Sequence, residues 1–441
     1  MTKKVIDGQA APILSPVMRL FLFSMILANL GGSLFFPFFA IYLSKLGLPV
    51  DRIGVFFTVS ALFPLLFQIF GGWVSDRIGR LASIAVGSVA GAVSWVALLL
   101  APSMANPMLW FLASNAVGAI TGALVAPSYD AFIAEQSDEK NRGKVFGVVQ
   151  SIFLVVGIAG PPAGGFIAQK FGYQNLAWIS AILYWTATFI RIGMARRLGP
   201  SHPAEAAGEA VKPMEEARAP GYKGSGPSGG FAASLKAILG LILAGGTFTW
   251  IFLIDGAFDI AGKLSGDLLP LFLRQSGGQP ESSIGLLQGL AALVMALCMV
   301  PLGGLADRRG ERLPVLAGCL LEAVSMVILW LGHSFPAYAA AFVLSGLAGA
   351  AIQPAMQSLT SKAVPAELRG LAYGFLGSSL GVFSFFAPAA GGWLWKSYFP
   401  ALPFLASGLL VLLAALPAWA RLRSLPPVPV KEEPSHDGDG R

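Results

Sequence analysis

Long uninterrupted apolar runs decide most of what this chain can fold into. A bilayer-crossing helix needs about 20 consecutive apolar residues, and the sequence offers twelve such runs. The first six read Val17–Leu43, Ile53–Trp73, Leu81–Ala101, Met108–Asp130, Lys144–Ala168 and Asn175–Met194. The second six read Thr247–Leu273, Ser283–Gly304, Leu313–Gly332, Ala337–Leu359, Leu371–Trp395 and Ala401–Ala420. Of the 441 residues, 55% are hydrophobic and only 12% are charged, about half the charged share of a soluble domain. So few charges could not solvate that much apolar side chain in water. A transmembrane β-barrel is excluded, because the runs are continuous rather than alternating over about ten residues. The predicted fold is an all-α polytopic membrane protein with twelve transmembrane helices.

Charge placement sets the expected orientation. With both termini in the cytoplasm, only Lys45, Arg52, Lys170, Arg274 and Lys396 face outward, and Lys263 sits within a span. The other basic residues then flank the spans on the inner side, as the positive-inside rule requires. A net charge of +7 spread over short loops in this way is no nucleic-acid signal. The first run follows Lys3 and Lys4 with no convincing processing site, so it reads as a retained helix. Cys298 and Cys319 lie inside apolar runs, which argues against a structural disulfide or metal cluster. No cofactor is expected, and the expected partners are a small-molecule substrate, protons and the lipid bilayer, with the protein a monomer in the cell membrane.

Residues 1–194 form the first half, 195–246 a linker, 247–423 the second half and 424–441 a tail. Ala195–Gly230 carries Pro, Gly, Ser and Glu with few large apolar side chains, a composition that cannot bury enough surface to fold alone. The seventh helix has two frames. Leu235–Ile254 is itself apolar, and choosing it would expel Asp255, Asp259 and Lys263 into an outer loop. The later frame, Thr247–Leu273, would instead leave Phe231–Ala244 as an interfacial helix.

An internal repeat favours the later frame. Ile53-Gly54 and Asp76 recur as Ile284-Gly285 and Asp307, at an offset of 231. Pro127, Arg142-Gly143, Pro161 and Gly164-Gly165 recur as Pro354, Arg369-Gly370, Pro388 and Gly391-Gly392, at an offset of 227. Duplicated six-helix halves place a binding site near the bilayer midplane and let one half rock against the other.

The loop after the second run reads Gly71-Gly72-Trp73-Val74-Ser75-Asp76-Arg77-Ile78-Gly79-Arg80, and Gly303-Gly304-Leu305-Ala306-Asp307-Arg308-Arg309-Gly310 repeats its core after the eighth. Glycine there permits a tight turn between helices. The pattern closely resembles the Gly-x-x-x-Asp-Arg-x-Gly-Arg loop of the major facilitator superfamily, from Val17 to Ala420. The resemblance implies two pseudo-symmetric six-helix bundles. It also implies that Gly72, Asp76, Arg77, Gly79, Arg80, Asp307 and Arg308 latch the cytoplasmic side, with Arg80 bridging Asp76 and Asp130.

Gly160-Pro161-Pro162-Ala163-Gly164-Gly165 resembles the family's Gly-Pro-x-x-Gly-Gly signature, enriched among antiporters, although Val156 stands where a glycine is usual. Ala387-Pro388-Ala389-Ala390-Gly391-Gly392 repeats it. Close helix packing at the half interface accounts for the same residues. Proton-coupled drug exporters of the family usually carry an arginine twelve residues before a proline in helix 4, and that position is Asn115 here. Helix 1 has no acid, and Asn29 is its most polar interior side chain.

The interior charges fall in helix 7 instead. Asp255, Asp259, Lys263 and Asp267 follow at intervals of four and form one stripe. Ions inside a span are costly and should face a wet cavity or one another. The stripe is therefore either a coupling site or a self-neutralising Asp259–Lys263 pair. Glu322 is more isolated, on a helix that the family places at the periphery, and is expected to matter less. Gln150, Gln288 and Gln353 are each an interhelical hydrogen bond or a substrate contact.

The first functional expectation is a proton- or cation-linked exporter of small organic molecules. A metabolite, siderophore or lipid carrier of the same fold is the alternative, and a membrane receptor or enzyme a remote one. No nucleotide-binding loop, metal-ligand cluster or nucleophile motif is present.

Overall fold

The computed structural model describes residues 14–137, 142–198, 245–364 and 384–422, together with 240, 242 and 243. Among them the chain is helical throughout, with no strand. Span 1 runs Pro16–Phe35, turns through a 3-10 segment at Phe36–Phe38, and continues as Phe39–Lys45. The turn falls at Pro37, which has no N–H to give to the preceding turn. Spans 2 to 6 are Val50–Ile78, Arg80–Leu100, Pro107–Glu135, Arg142–Phe171 and Tyr173–Leu198.

Span 7 starts at Thr247, turns through Gly266–Leu268 and ends at Gln275, so the later frame is the one adopted. Its 3-10 turn stands at the repeat position of the one in span 1. Spans 8, 9, 10 and 12 are Glu281–Arg309, Arg312–Leu331, Phe335–Ala363 and Leu402–Arg421, and Ala387–Ser397 is the described part of span 11. The linker Ala195–Gly230 and the interfacial helix expected at Phe231–Ala244 lie almost wholly outside the described residues. Among the described residues, nine helices are long and apolar enough to cross a membrane, and span 7 with its five charges is not one of them. Phe189, Leu297 and Val300 are more than two-thirds exposed, an exterior suited to lipid.

Gly79 and Gly310 close the two repeated loops with φ of 88° and 85°. This is backbone that favours glycine over any residue with a Cβ.

The glycine–proline segments interlock the halves. A Cβ on Gly285 of span 8 would collide with the Pro161 carbonyl oxygen of span 5, and one on Gly54 of span 2 with the Pro388 carbonyl oxygen of span 11. In the same reciprocal way, Gly165 abuts the Glu281 carbonyl oxygen, and a Cβ on Gly392 would lie 2.8 Å from the Val50 carbonyl oxygen. Each contact in one pair is the repeat image of a contact in the other. Gly164 and Gly391 pack on the Leu34 and Leu264 carbonyls of spans 1 and 7, and Gly160 packs on Ser33. Except at Gly160, which meets the Ser33 side chain, backbone touches backbone at these points, which only glycine permits.

The alternation of spans puts Pro16, Leu198, Thr247 and Arg421 at one end of the bundle, the near end. At the far end a single core crosses both halves. Phe35, Phe38, Phe39, Leu43, Ile53 and Phe56 pack with Leu268, Leu271, Leu273, Ile284 and Leu287, all essentially buried.

Candidate functional site: a far-end gate and an acidic cavity

Polar contacts complete the far-end seal. The Glu281 carboxylate, 5% exposed, accepts from Lys45 at 3.1 Å and from the Tyr173 hydroxyl at 2.9 Å, both in the first half. Arg274 of its own half stands 3.5 Å away. Lys45 also lies 4.5 Å from the centre of the Tyr173 ring. Further bonds cross the same end: Lys396 to Asp51 at 2.8 Å, Gln275 to Ser44 at 2.9 Å, and the Ala389 N–H to the Thr58 hydroxyl at 2.9 Å.

The repeated loops at the near end hold contacts within each half. Arg80 Nε donates to Glu135 at 3.3 Å, while Asp130, the acid expected for it, is exposed. Arg77, Asp307 and Arg308 are also exposed. The side chains of Gly72 and Asp76 lie outside the described ones. In the second half the fully buried Glu311 pairs with Lys362 and accepts from the Ser358 hydroxyl at 2.8 Å. Burial pushes the Glu311 carboxyl up, but the bonds from Lys362, the backbone and Ser358 outweigh it and hold it below the usual range.

Span 7 splits its charges. Asp259 pairs with Lys263 at 3.1 Å and accepts from the Ser384 hydroxyl, to which Lys263 also donates at 2.8 Å. This network ties span 7 to the segment leading into span 11. Asp267 falls in the 3-10 turn and is exposed, so the regular stripe ends at Lys263. Asp255, one turn before Asp259, lines a cavity of about 690 Å³ bounded by spans 7, 8, 9, 10 and 12. Gln353 and Glu322 line the same cavity. Although span 9 was expected at the periphery, its rotation turns the Glu322 carboxylate inward, toward Ser345.

The first half carries neutral polar groups instead. Asn29 and Asn115 each donate to the carbonyl four residues back, at 2.8 and 2.9 Å. They line two smaller cavities of about 370 and 440 Å³ with Ser94, Ser114, Thr121 and Tyr184. Gln150 is exposed and Gln288 half-buried.

Arg191 in span 6 escaped the sequence reading. It is 3% exposed, donates to Ser88 at 2.9 Å and to Ser24 at 3.3 Å, and lies 5.2 Å from the centre of the Tyr129 ring. Hydroxyl, carbonyl and ring partners satisfy a guanidinium without a carboxylate, pinning span 6 to spans 1 and 3. Its position inside an apolar run was the available signal.

Two interlocked, repeat-related halves with ionisable groups inside the spans define a multi-pass secondary transporter. The family model described as Major Facilitator Superfamily matches residues 21–266 and 257–440, and the chain belongs to that superfamily. It is a transporter rather than an enzyme. Among its relatives, a Na(+), Li(+), K(+)/H(+) antiporter of Planococcus maritimus is 25% identical over 352 residues, 76% of this chain and 79% of its own. The multidrug resistance protein MdtG of Dickeya zeae is 24% identical over 399 residues, covering 89% of this chain and 90% of its own. A bacterial homolog of the human lysosomal transporter Spinster shares the fold at a TM-score of 0.71 and 15% identity, over 95% of this chain and 98% of its own.

Proposed function

We propose that the protein is an exporter of small organic molecules driven by protons or monovalent cations. It works by alternating access in the cell membrane with both termini in the cytoplasm. In that orientation the sealed far end faces outside and the conformation is inward-facing. The observation that carries the reading is the pair of acids one turn apart on span 7. Asp259 is balanced by Lys263 and Ser384, while Asp255 is left on a cavity wall. A proton or cation reaching this pair changes the charge that span 7 holds inside the membrane, and with it the cost of closing water out. The relatives named as antiporter and multidrug resistance protein support the direction. The near-end loops, with Arg77, Arg80, Asp307 and Arg308, then serve as the latch that forms when the cytoplasmic side closes.

The test uses inverted membrane vesicles holding a pH gradient reported by acridine orange, with sodium, lithium, potassium or ethidium added in turn. At least one addition dissipates the gradient with the wild-type protein and none does with Asp259→Asn. Dissipation that is equal in vesicles with the protein, with the variant and without either removes the exporter reading.

A further inference from the structure

We infer that the cavity inside the second half is a binding site for a drug-sized organic cation, held by Asp255 and Glu322; this deepens, and rests on, the exporter reading. A volume of about 690 Å³ suits a drug-sized molecule, since ligand pockets run to about 300–1,000 Å³. It is far more than one bare metal ion fills. Every residue of its wall belongs to the second half, so the site travels with that half rather than forming where the halves meet.

The chemistry of the wall selects the charge. Asp255 enters from span 7 and Glu322 from span 9, and among the described residues neither has a lysine or arginine within ion-pair distance. Lys263, the nearest cation along span 7, is occupied by Asp259 and Ser384. Arg191 lies in the other half. Two carboxylates at membrane depth without a protein counter-charge are expensive, and a cationic ligand supplies the missing charge. Among the described residues, the two first-half cavities lined by Asn29 and Asn115 have no acid on their walls.

The rest of the wall selects the body. Phe258, Met295, Met326 and Met356 present a ring and three flexible thioethers. Methionine refits itself to irregular apolar shapes and favours aromatic partners. A positively charged head on a bulky aromatic frame matches both features. An anion meets two carboxylates, and a neutral molecule of the same shape gains nothing from them.

Binding to the full-length protein in lipid nanodiscs tests this with three probes of matched shape. These are tetraphenylphosphonium, neutral triphenylphosphine oxide and tetraphenylborate. The Asp255→Asn, Glu322→Gln double variant serves as the blank for partition into lipid. Tetraphenylphosphonium is expected to bind saturably, each single substitution weakening it by about tenfold or more, while the other two probes do not distinguish wild type from the blank. A second measurement needs no variant: tetraphenylphosphonium should protect Asp255 and Glu322 of the wild-type protein from a hydrophobic carbodiimide, read by peptide mass spectrometry. Equal modification with and without the probe, or probe binding indifferent to Glu322→Gln, overturns the site. If gradient dissipation still depends on Asp259, the exporter reading survives that failure. If binding and protection hold but no cation crosses the membrane, the site stands and the exporter reading falls.

Discussion

Glu281 is where the far-end seal is most open to a measured perturbation. Its carboxylate takes two bonds from the opposite half, from Lys45 and from Tyr173, and both break when the halves part. Glu281→Gln keeps an oxygen acceptor and nearly the same shape, but it removes the charge. A charge-assisted bond is worth about 1 kcal/mol more than a neutral one. The two bonds together then cost the closed state about 2 kcal/mol, less whatever the half-exposed Lys45 regains from water. At about 1.4 kcal/mol per tenfold, the open fraction rises roughly 30-fold. Leu287 reports it, because it is fully buried beneath the seal. A cysteine there, with Cys298 and Cys319 replaced by alanine, should react with an impermeant maleimide added outside cells at a rate proportional to the open fraction. Lys45→Met should raise the rate similarly, and the two changes together should be less than additive. An unchanged rate in both variants would show that the apolar core alone holds the far end shut.

Gly285→Val and Gly54→Val should each drive a side chain into a proline-adjacent carbonyl of the other half, so both should lose transport and lower the melting temperature, whereas Gly147→Ala, with open space around it, should do neither. Lys263→Met leaves Asp259 with only Ser384 inside a span; it should destabilise the purified protein in a thermal melt, and Asp259→Asn combined with it should restore part of the loss. Single cysteines at Ser201 and Ser435 should resist an impermeant thiol reagent in intact cells and react after permeabilisation; labelling in intact cells would reverse the orientation.

The repeat was the most informative part of the sequence. Its constant offsets favoured Thr247 as the start of span 7, and they pair Gly54 with Gly285 and Gly165 with Gly392, the residues that interlock the halves. What periodicity could not supply was helix rotation. Span 9 is apolar nearly all round, so nothing in the sequence said that Glu322 turns toward Asp255 rather than outward. The stripe on span 7 was legible, but its division was not. Ser384, which engages Asp259 and Lys263, lies 121 residues beyond Lys263. Glu281 was passed over for a similar reason: a charge at a helix start reads as solvated until Lys45 and Tyr173 are seen to close over it.

The same offsets expose a reversal of charge at the near end, where the cytoplasmic latch is proposed. Arg80 corresponds to Glu311, and Glu135 to Lys362, so the two halves carry the same loop-to-helix pair with opposite signs. Duplication without change would have left a positive charge at both positions, one on each half, repelling as the near ends approach. Reversal sets a carboxylate at the one position of the second loop that answers to Arg80, while preserving the pair inside each half. Undoing it is a clean perturbation. Glu311→Lys with Lys362→Glu keeps a pair in the second half but restores the sign of the first. Arg80 is partly exposed and Glu311 is buried within its own half, so the pull between them acts across the near end rather than by contact; at about 1 kcal/mol it is roughly fivefold in the closed fraction. Spin labels across the near end should report a larger open population in the double variant at low salt, and the difference should shrink as ionic strength rises. A distance distribution that matches wild type at every ionic strength would mean that the reversal has no part in closing the cytoplasmic side.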